Sequence, residues 1–300
     1  MPSFRTLTLT LCLAALALPT RATAQAGGPP EVLLRLDDVG MNHSVNTAIE
    51  RVAKTGMPFS VSVMFACPWY QEGVEMLKKY PNVNVGVHLV LNSEWRNYRW
   101  GPVLGKTAVP SLVDSVGYFL PSTRAFLDSK YDLGEVGREL DAQMQRATSS
   151  GLKITYVDFH MGTAGSTPQL RAVVERIAEK YRVAISRSFG EVSNTIFSAP
   201  VEQKTSELIK GLARAERGRT NLWVIHVAER TPEMDVLFDR NNAAQNSGAG
   251  LPLVAQHRQG ELDAMLSREL AEMVKTNRIK LVTYEQLIAR DGPRRSAPVP

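Results

Sequence analysis

Two adjacent carboxylates, Asp37 and Asp38, close the short apolar run 31–36, and two later apolar runs carry His88 and His160. Two neighbouring acids at the end of a buried strand are not both ionised cheaply unless a positive charge lies beside them. One carboxylate and two imidazoles form a ligand set for a divalent metal ion, and the second carboxylate can then act as a base. The combination predicts metal-assisted hydrolysis.

Each of these residues also has an ordinary structural interpretation. An Asp pair before a helix can cap backbone amides, and a histidine inside an apolar run, such as His88, can be a hydrogen-bonded core residue. The set is more specific than its members, because the carboxyl ends of barrel strands meet at one mouth.

The two acids would point to opposite faces of a strand that stayed extended. We therefore expect a turn at Val39-Gly40, where glycine allows a positive φ, to bring Asp37 and Asp38 to the same end. Asp158 lies two residues before His160 and shares its strand face. Its carboxylate is predicted to orient that imidazole.

Other residues could serve a pocket at this mouth. His226 lies near the end of an apolar strand candidate and could protonate a leaving group, or it could be a buried structural histidine. Arg187 ends a strand candidate and could orient a substrate or pair with an acid. His43 lies in the first predicted loop and could reach the pocket or face water. Trp95 could stack on a sugar ring or pack its loop onto the domain.

The elements that must position these residues alternate between short apolar segments and helical patterns. Several apolar segments lack polar alternation, which indicates burial on both faces of a parallel sheet. We predict an α/β fold, specifically a distorted (β/α) barrel with about seven parallel strands, one short of a regular barrel. The strand candidates are 32–36, 59–66, 83–91, 153–159, 182–187, 222–228 and 279–284.

Capping residues place the helices between these strands. The first helix is predicted to begin after Ser44 and to stop at Gly56. A Thr-Pro pair predicts a helix over 168–180. Apolar residues recur at helical spacing over 262–274 and predict one long helix.

The N-terminal residues have the pattern of a leader peptide. Residues 1–26 combine a basic start, an uncharged apolar stretch at 7–18 and small-x-small cleavage signals, and are predicted to be a secretory signal peptide. The protein is then exported, either periplasmic or secreted. An uncleaved membrane anchor is the alternative, although the apolar stretch is shorter than the ~20 residues of a span. No later segment is long enough to give the mature chain a stable span.

The remaining chain is predicted to be one domain, 27–290, followed by a disordered tail, 291–300. Residues 92–130 and 230–259 do not follow the alternation and are predicted to be long functional loops. Removal of the leader leaves Cys67 without a partner for an internal disulfide.

The formal net charge is +5. No basic stripe interleaved with aromatic residues is present, so nucleic acid is not expected as a partner. The sequence gives no oligomeric state.

Three motifs in order carry a family resemblance: Leu36–Asn42 (LDDVGMN), Asn84–Leu89 (NVGVHL) and Tyr156–His160 (YVDFH). With these motifs the chain resembles the YdjC/ChbG-like carbohydrate deacetylases over most of its mature length, including the segment Ile279–Tyr284. The resemblance implies a distorted (β/α) barrel that removes acetyl groups from N-acetylated sugars with a divalent metal.

The resemblance also implies a role for each site residue. Asp38, His88 and His160 match the metal-ligand positions, and Asp37 matches the general base. His226 is similar to the family's later histidine, the general acid, but it is followed by Val-Ala where the family usually has Pro-Gly. The four residues after His160 contain no histidine, where the family often has one.

We therefore expect a metal-dependent hydrolase that removes acetyl groups from N-acetylated sugars or oligosaccharides. The ion is Zn or Mg, and two imidazoles favour Zn. A non-catalytic glycan-binding protein on the same scaffold is one alternative. A non-haem iron oxygenase, which also uses two histidines and one carboxylate, is another, but the spare carboxylate Asp37 favours hydrolysis.

Overall fold

Eight parallel strands form the centre of the fold in the described part of the chain. The structure is a computed structural model, and it describes residues 28–241 and 253–296. The strands are β1 (Glu31–Val39), β2 (Ser60–Val63), β3 (Asn84–Leu89), β4 (Ile154–Phe159), β5 (Ala184–Ile185), β6 (Val192–Thr195), β7 (Thr220–Ile225) and β8 (Lys280–Leu281).

Helices connect most of these strands, as parallel pairing requires. They are α1 (His43–Ala53), α2 (Tyr70–Leu77), α3 (Thr123–Asp128), α4 (Leu133–Ser149), α5 (Pro168–Tyr181), α6 (Lys204–Ala213), α7 (Pro232–Asp235), α8 (Val254–Met265), α9 (Arg268–Lys275) and α10 (Tyr284–Asp291). Short 3₁₀ helices lie at Pro110–Leu112, His160–Gly165 and Val201–Gln203.

The sheet has the order β5-β4-β3-β2-β1-β7-β6, and β8 pairs with the start of β1. Among the described residues the outer strands β5 and β6 do not pair with each other, so the sheet curls into a half-barrel that stays open between them. This confirms the predicted α/β fold and its distorted barrel of about seven parallel strands.

All seven predicted strand segments contain a strand, and β6 is the additional one. Its sequence is Val-Ser-Asn-Thr, and its residues alternate between half-buried and exposed. A short polar strand at the sheet edge lacks the apolar run by which the others were recognised.

Strand β1 shows why the apolar runs are continuous. Val32, Leu34 and Leu36 pack with the helices in the main core, whereas Leu33 packs in a second cluster with Tyr156. Both faces of the strand are thus buried, as expected for a parallel sheet.

Several predicted helix boundaries differ in the structure. The N-cap of α1 is Asn42 rather than Ser44, since the Asn42 side chain accepts from the backbone N of Val45. The helix predicted over 168–180 is confirmed as α5. The single long helix predicted over 262–274 is instead α8 and α9, because Ser267 caps a new helix after a break at Leu266.

The two predicted loops contain short elements. Residues 92–130 include one 3₁₀ helix and α3, and residues 230–259 include α7 and the start of α8. A bridge between Trp95 and Asp239 joins these two stretches.

Both chain ends extend beyond the described residues. The predicted signal peptide, 1–26, lies outside them, as do 297–300 of the predicted tail. The first tail residues lie against β5, where the backbone N of Ile185 donates to the carbonyl of Arg294. Within the described part of the chain, the longest apolar helices are too short or too polar to cross a bilayer.

Candidate metal centre and active site

Asp38, His88 and His160 converge at the carboxyl ends of β1, β3 and β4, with β2 lying between β1 and β3 in the sheet. Asp38 Oδ1 lies 3.5 Å from His88 Nε2 and 3.5 Å from His160 Nδ1. The two imidazole nitrogens are 3.3 Å apart. All three residues are buried. The structure thus brings the three predicted metal ligands into one triangle.

A left-handed residue directs both aspartates to this end. Asp38 has φ 71°, and the pairing of β1 with β2 shifts register between Leu36 and Val39. Aspartate adopts this conformation more readily than most residues. The expected turn is therefore present, but it begins at Asp38 itself, and Gly40 (φ 87°) continues it. Asp37 and Asp38 consequently lie at the same mouth.

The donor set fits a divalent cation. Asp38 is 1 % exposed, and its Oδ1 has no hydrogen-bond partner among the described residues. An unpaired buried carboxylate oxygen is costly, and this one points to the place where the two ring nitrogens meet. A bound ion would satisfy all three atoms at once, so these residues could hold a metal.

Carboxylates fix both imidazole rings from behind. His88 Nδ1 lies 2.8 Å from Asp158 Oδ1, and His160 Nε2 lies 2.9 Å from Glu94 Oε2. Each ring then donates from one nitrogen and presents the other to the ion. The prediction that Asp158 orients His160 was wrong: Asp158 is paired in register with His88 on β3. Glu94 orients His160.

The site attracts positive charge. Burial disfavours protonation of His160, but Glu94 and Asp38 outweigh it and raise its pKa to about 10. Burial also opposes the charge of His88, yet Asp158 and Asp37 raise its pKa above the usual value. Burial opposes ionisation of Asp38, but Arg258 and His160 hold its pKa well below the usual value. A proton on the His160 ring thus takes the place that a cation would fill.

The charges in direct contact support a divalent ion. The connected network contains four carboxylates and two arginines: Asp37 and Asp158 contact Arg35, Asp38 contacts Arg258, and Glu94 contacts His160. With neutral histidines these groups carry two net negative charges, and a divalent cation neutralises them.

Asp37 is held by an arginine. Arg35 donates from Nε to Oδ1 and from Nη2 to Oδ2, both at 2.7 Å. The Nη2 atom also lies 2.9 Å from Asp158 Oδ2. Asp37, His88 and Asp158 form a second group with metal-ligand spacing. Because the guanidinium already pairs with both carboxylates of this second group, the first triangle is the better cation site.

His226 lies beside Asp37 at the cavity wall. Its Nε2 is 4.0 Å from Asp37 Oδ2, and its side chain is 20 % exposed. Phe197 contacts the ring edge-on, and the backbone N donates to Glu261 Oε2 at 2.7 Å. Burial lowers the pKa of His226 more than Asp38 and Asp37 raise it. The ring is therefore neutral at neutral pH, partly accessible and next to the spare carboxylate.

The three predicted substrate residues have different positions. Trp95 is 1 % exposed and forms part of the cavity wall, so it packs its loop onto the domain rather than offering an open stacking surface. Arg187 is exposed at the cavity and has φ 67°. His43 does not line this cavity. Its side chain is 55 % exposed and pairs with Glu72 on the outer surface, which corrects the prediction that it serves the pocket.

A cavity of about 520 Å³ opens above the triangle. Its walls include Met161, Asn194 and Phe197 in addition to the groups described above. The volume suits a small organic ligand. Four of its buried charged residues were missed from the sequence: Arg35, Glu94, Asp239 and Arg258. Glu94 follows β3 in the aromatic-rich stretch, and Arg258 lies on α8, in a stretch predicted to be a loop.

Comparisons with known proteins identify relatives of this chain. A carbohydrate deacetylase from Brevibacillus brevis is 26 % identical over 263 residues, which cover 86 % of this chain and 99 % of that protein. One from Thermus thermophilus is 39 % identical over 157 residues, which cover 52 % and 53 %.

A crystal structure from Enterococcus faecalis, described as a candidate cellobiose-phosphate cleavage protein, shares the fold with a TM-score of 0.66. It is 23 % identical and is matched over 87 % of this chain and 99 % of its own. The family model described as YdjC-like protein matches residues 31–276. The chain belongs to the YdjC-like protein family.

Proposed function

We propose that the protein is a metal-dependent hydrolase that removes acetyl groups from N-acetylated sugars or oligosaccharides. The observation that carries the proposal is the buried Asp38–His88–His160 triangle with the spare carboxylate of Asp37 beside it. The relatives named carbohydrate deacetylase support the substrate class.

The ligand types favour zinc, because imidazole nitrogens suit zinc whereas Mg²⁺ prefers oxygen ligands. A bound divalent ion supplies Lewis acidity, which polarises the acyl carbonyl and acidifies a water molecule.

The protein residues then move the protons. Asp37, oriented by Arg35, removes a proton as the water oxygen attacks the carbonyl carbon. The carbon–nitrogen bond breaks, and His226 delivers a proton to the departing amine nitrogen. The acyl group leaves as a carboxylic acid, which becomes a carboxylate by releasing its proton to solvent. Because His226 is neutral at neutral pH, it acquires this proton from Asp37, whose Oδ2 lies 4.0 Å from Nε2.

Acetate release tests the proposal. N-acetylated oligosaccharides are incubated with metal-stripped protein and with protein to which Zn, Mg, Mn or Co is restored in turn. We expect release with zinc and little without metal, and a His88→Ala variant should not be restored. If the loaded protein binds the oligosaccharides but releases no acetate, the glycan-binding alternative is correct.

We also propose that the protein is exported, on the basis of the leader-like residues 1–26. Fractionation of cells that express the full chain checks this. A mature N-terminus near residue 27 in the periplasm or medium is expected, and an unprocessed chain in the cytoplasm would contradict it.

A further inference from the structure

Arg258 is a buried arginine directly beside the metal triangle. It lies on α8, is 2 % exposed and lines the cavity. Its Nη2 donates to Asp38 Oδ2 at 2.6 Å, and the guanidinium lies 5.4 Å from the centre of the Trp95 ring. Its backbone carbonyl accepts from the N of Ala228, just beyond β7. These contacts fix both the side chain and the helix that carries it.

Two of its donor atoms remain unpaired. Neither Nε nor Nη1 has a hydrogen-bond partner among the described residues, although both atoms are buried. Buried charged donors are normally satisfied by protein, water or ligand. Since Arg258 lines the cavity, two unpaired donors on its guanidinium point to a ligand that brings acceptor atoms.

The other buried arginine of the cavity shows the contrast. Arg35 uses Nε and Nη2 on Asp37, Nη2 also on Asp158, and Nη1 on Ser186 at 2.7 Å. It has no nitrogen left for a ligand. Of the two buried arginines that the structure describes at this site, Arg258 is the one with free donors.

We propose that Arg258 binds a small carboxylate, the acyl product, in the cavity beside the metal position. This inference rests on the proposed function and extends it. A divalent ion would neutralise the two net negative charges of the network around it. An acyl group that becomes anionic therefore needs a further hydrogen-bond donor. The planar guanidinium already donates to one oxygen of Asp38 and can donate to an anionic oxygen of the product as well. Arg258 therefore contacts the acyl group, whereas Arg35 positions the base.

Calorimetric titration with acetate tests the proposal. The zinc-loaded wild-type protein is compared with Arg258→Lys, Arg258→Met and a matched control, Arg230→Met. Arg230 pairs with Asp235 on the surface, with 53 % of its side chain exposed. Metal content is measured for each protein, and zinc is kept saturating.

We expect acetate to bind the wild type and the Arg230→Met control equally. The Arg258→Lys variant keeps a cation for Asp38 and should therefore retain zinc. It lacks the several donors of the planar guanidinium, so it should bind acetate about tenfold more weakly. The Arg258→Met variant should lose acetate binding.

Three results would overturn the assignment. One is undetectable acetate binding to the zinc-loaded wild type, and another is unchanged acetate affinity in both Arg258 variants. The third is Arg258-dependent binding of glucuronate without binding of acetate, because the recognised group would then belong to the sugar. Failure of the proposed function is distinct: the wild type would bind acetate through Arg258 yet release none from N-acetylated sugars.

Discussion

Metal affinity should rise steeply with pH, and Glu94 should control part of the slope. In the metal-free protein the pKa of His160 is raised to about 10, with Glu94 as the main charge that opposes the effect of burial. At pH 7 the ring is therefore protonated, and the ion must displace that proton. The pKa of about 10 lies about three units above pH 7, and each unit corresponds to about 1.36 kcal/mol. Removing the proton from His160 at pH 7 therefore costs about 4 kcal/mol, which reduces the apparent affinity for the metal about a thousandfold.

The sign follows from the direction of the pKa change. Because the raised pKa favours the protonated ring, affinity is weakest at low pH and increases until the pH passes the pKa. One displaced proton gives about a tenfold increase per pH unit, and displacement of a second proton from His88, whose pKa is also raised, makes the slope steeper.

Competition with a chromophoric chelator between about pH 6 and 9 measures the slope. In Glu94→Gln the amide can still accept from His160 Nε2, but the negative charge is gone. The pKa of His160 should fall and the slope should become shallower. Glu72→Gln is the matched control, since Glu72 contacts the exposed His43 at 2.7 Å, away from the triangle. Equal slopes in Glu94→Gln and the wild type, or an affinity independent of pH, would refute the reasoning.

Three further changes test the base and the packing. Asp37→Asn should lower kcat for acetate release about 10²–10⁴-fold while metal content is retained; full activity would exclude the base role. Lys204 pairs with the fully buried Glu261 at 3.1 Å. Lys204→Met leaves this carboxylate without its cation and should lower the free energy of unfolding by about 3–5 kcal/mol. Urea unfolding should show a smaller loss in the Lys204→Met/Glu261→Leu double variant. Gly86→Ala places a Cβ 2.4 Å from the Tyr156 ring and should lower the free energy of unfolding by about 1–3 kcal/mol; an unchanged urea midpoint would show that the ring moves freely.

The sequence identified the strands because their burial on both faces requires continuous apolar runs. It did not reveal β6, whose polar residues lie at a sheet edge, or the break between α8 and α9, where Ser267 begins a new helix within one apolar stripe. The spacing of apolar residues shows which residues face the core. A helix break that keeps this spacing cannot be detected from it.

The metal ligands were predictable because they terminate recognisable strands. The residues that orient or pair with these ligands were harder to predict from the sequence. Glu94 and Arg258 lie in stretches without a strand pattern and reach the site through the long connections. Asp158 was noticed, but its partner depends on the register of β3 against β4, which a single sequence does not specify.

The left-handed backbone at residue 38 limits how this centre can change during evolution. Histidine and glutamate are competent zinc ligands, so by donor chemistry alone either could replace the aspartate. Residues other than glycine, asparagine and aspartate pay about 1–2 kcal/mol to adopt that conformation, and Asp38 holds it with φ 71°. Ligand exchange at this position therefore carries a backbone penalty that exchange at His88, in a regular strand, does not.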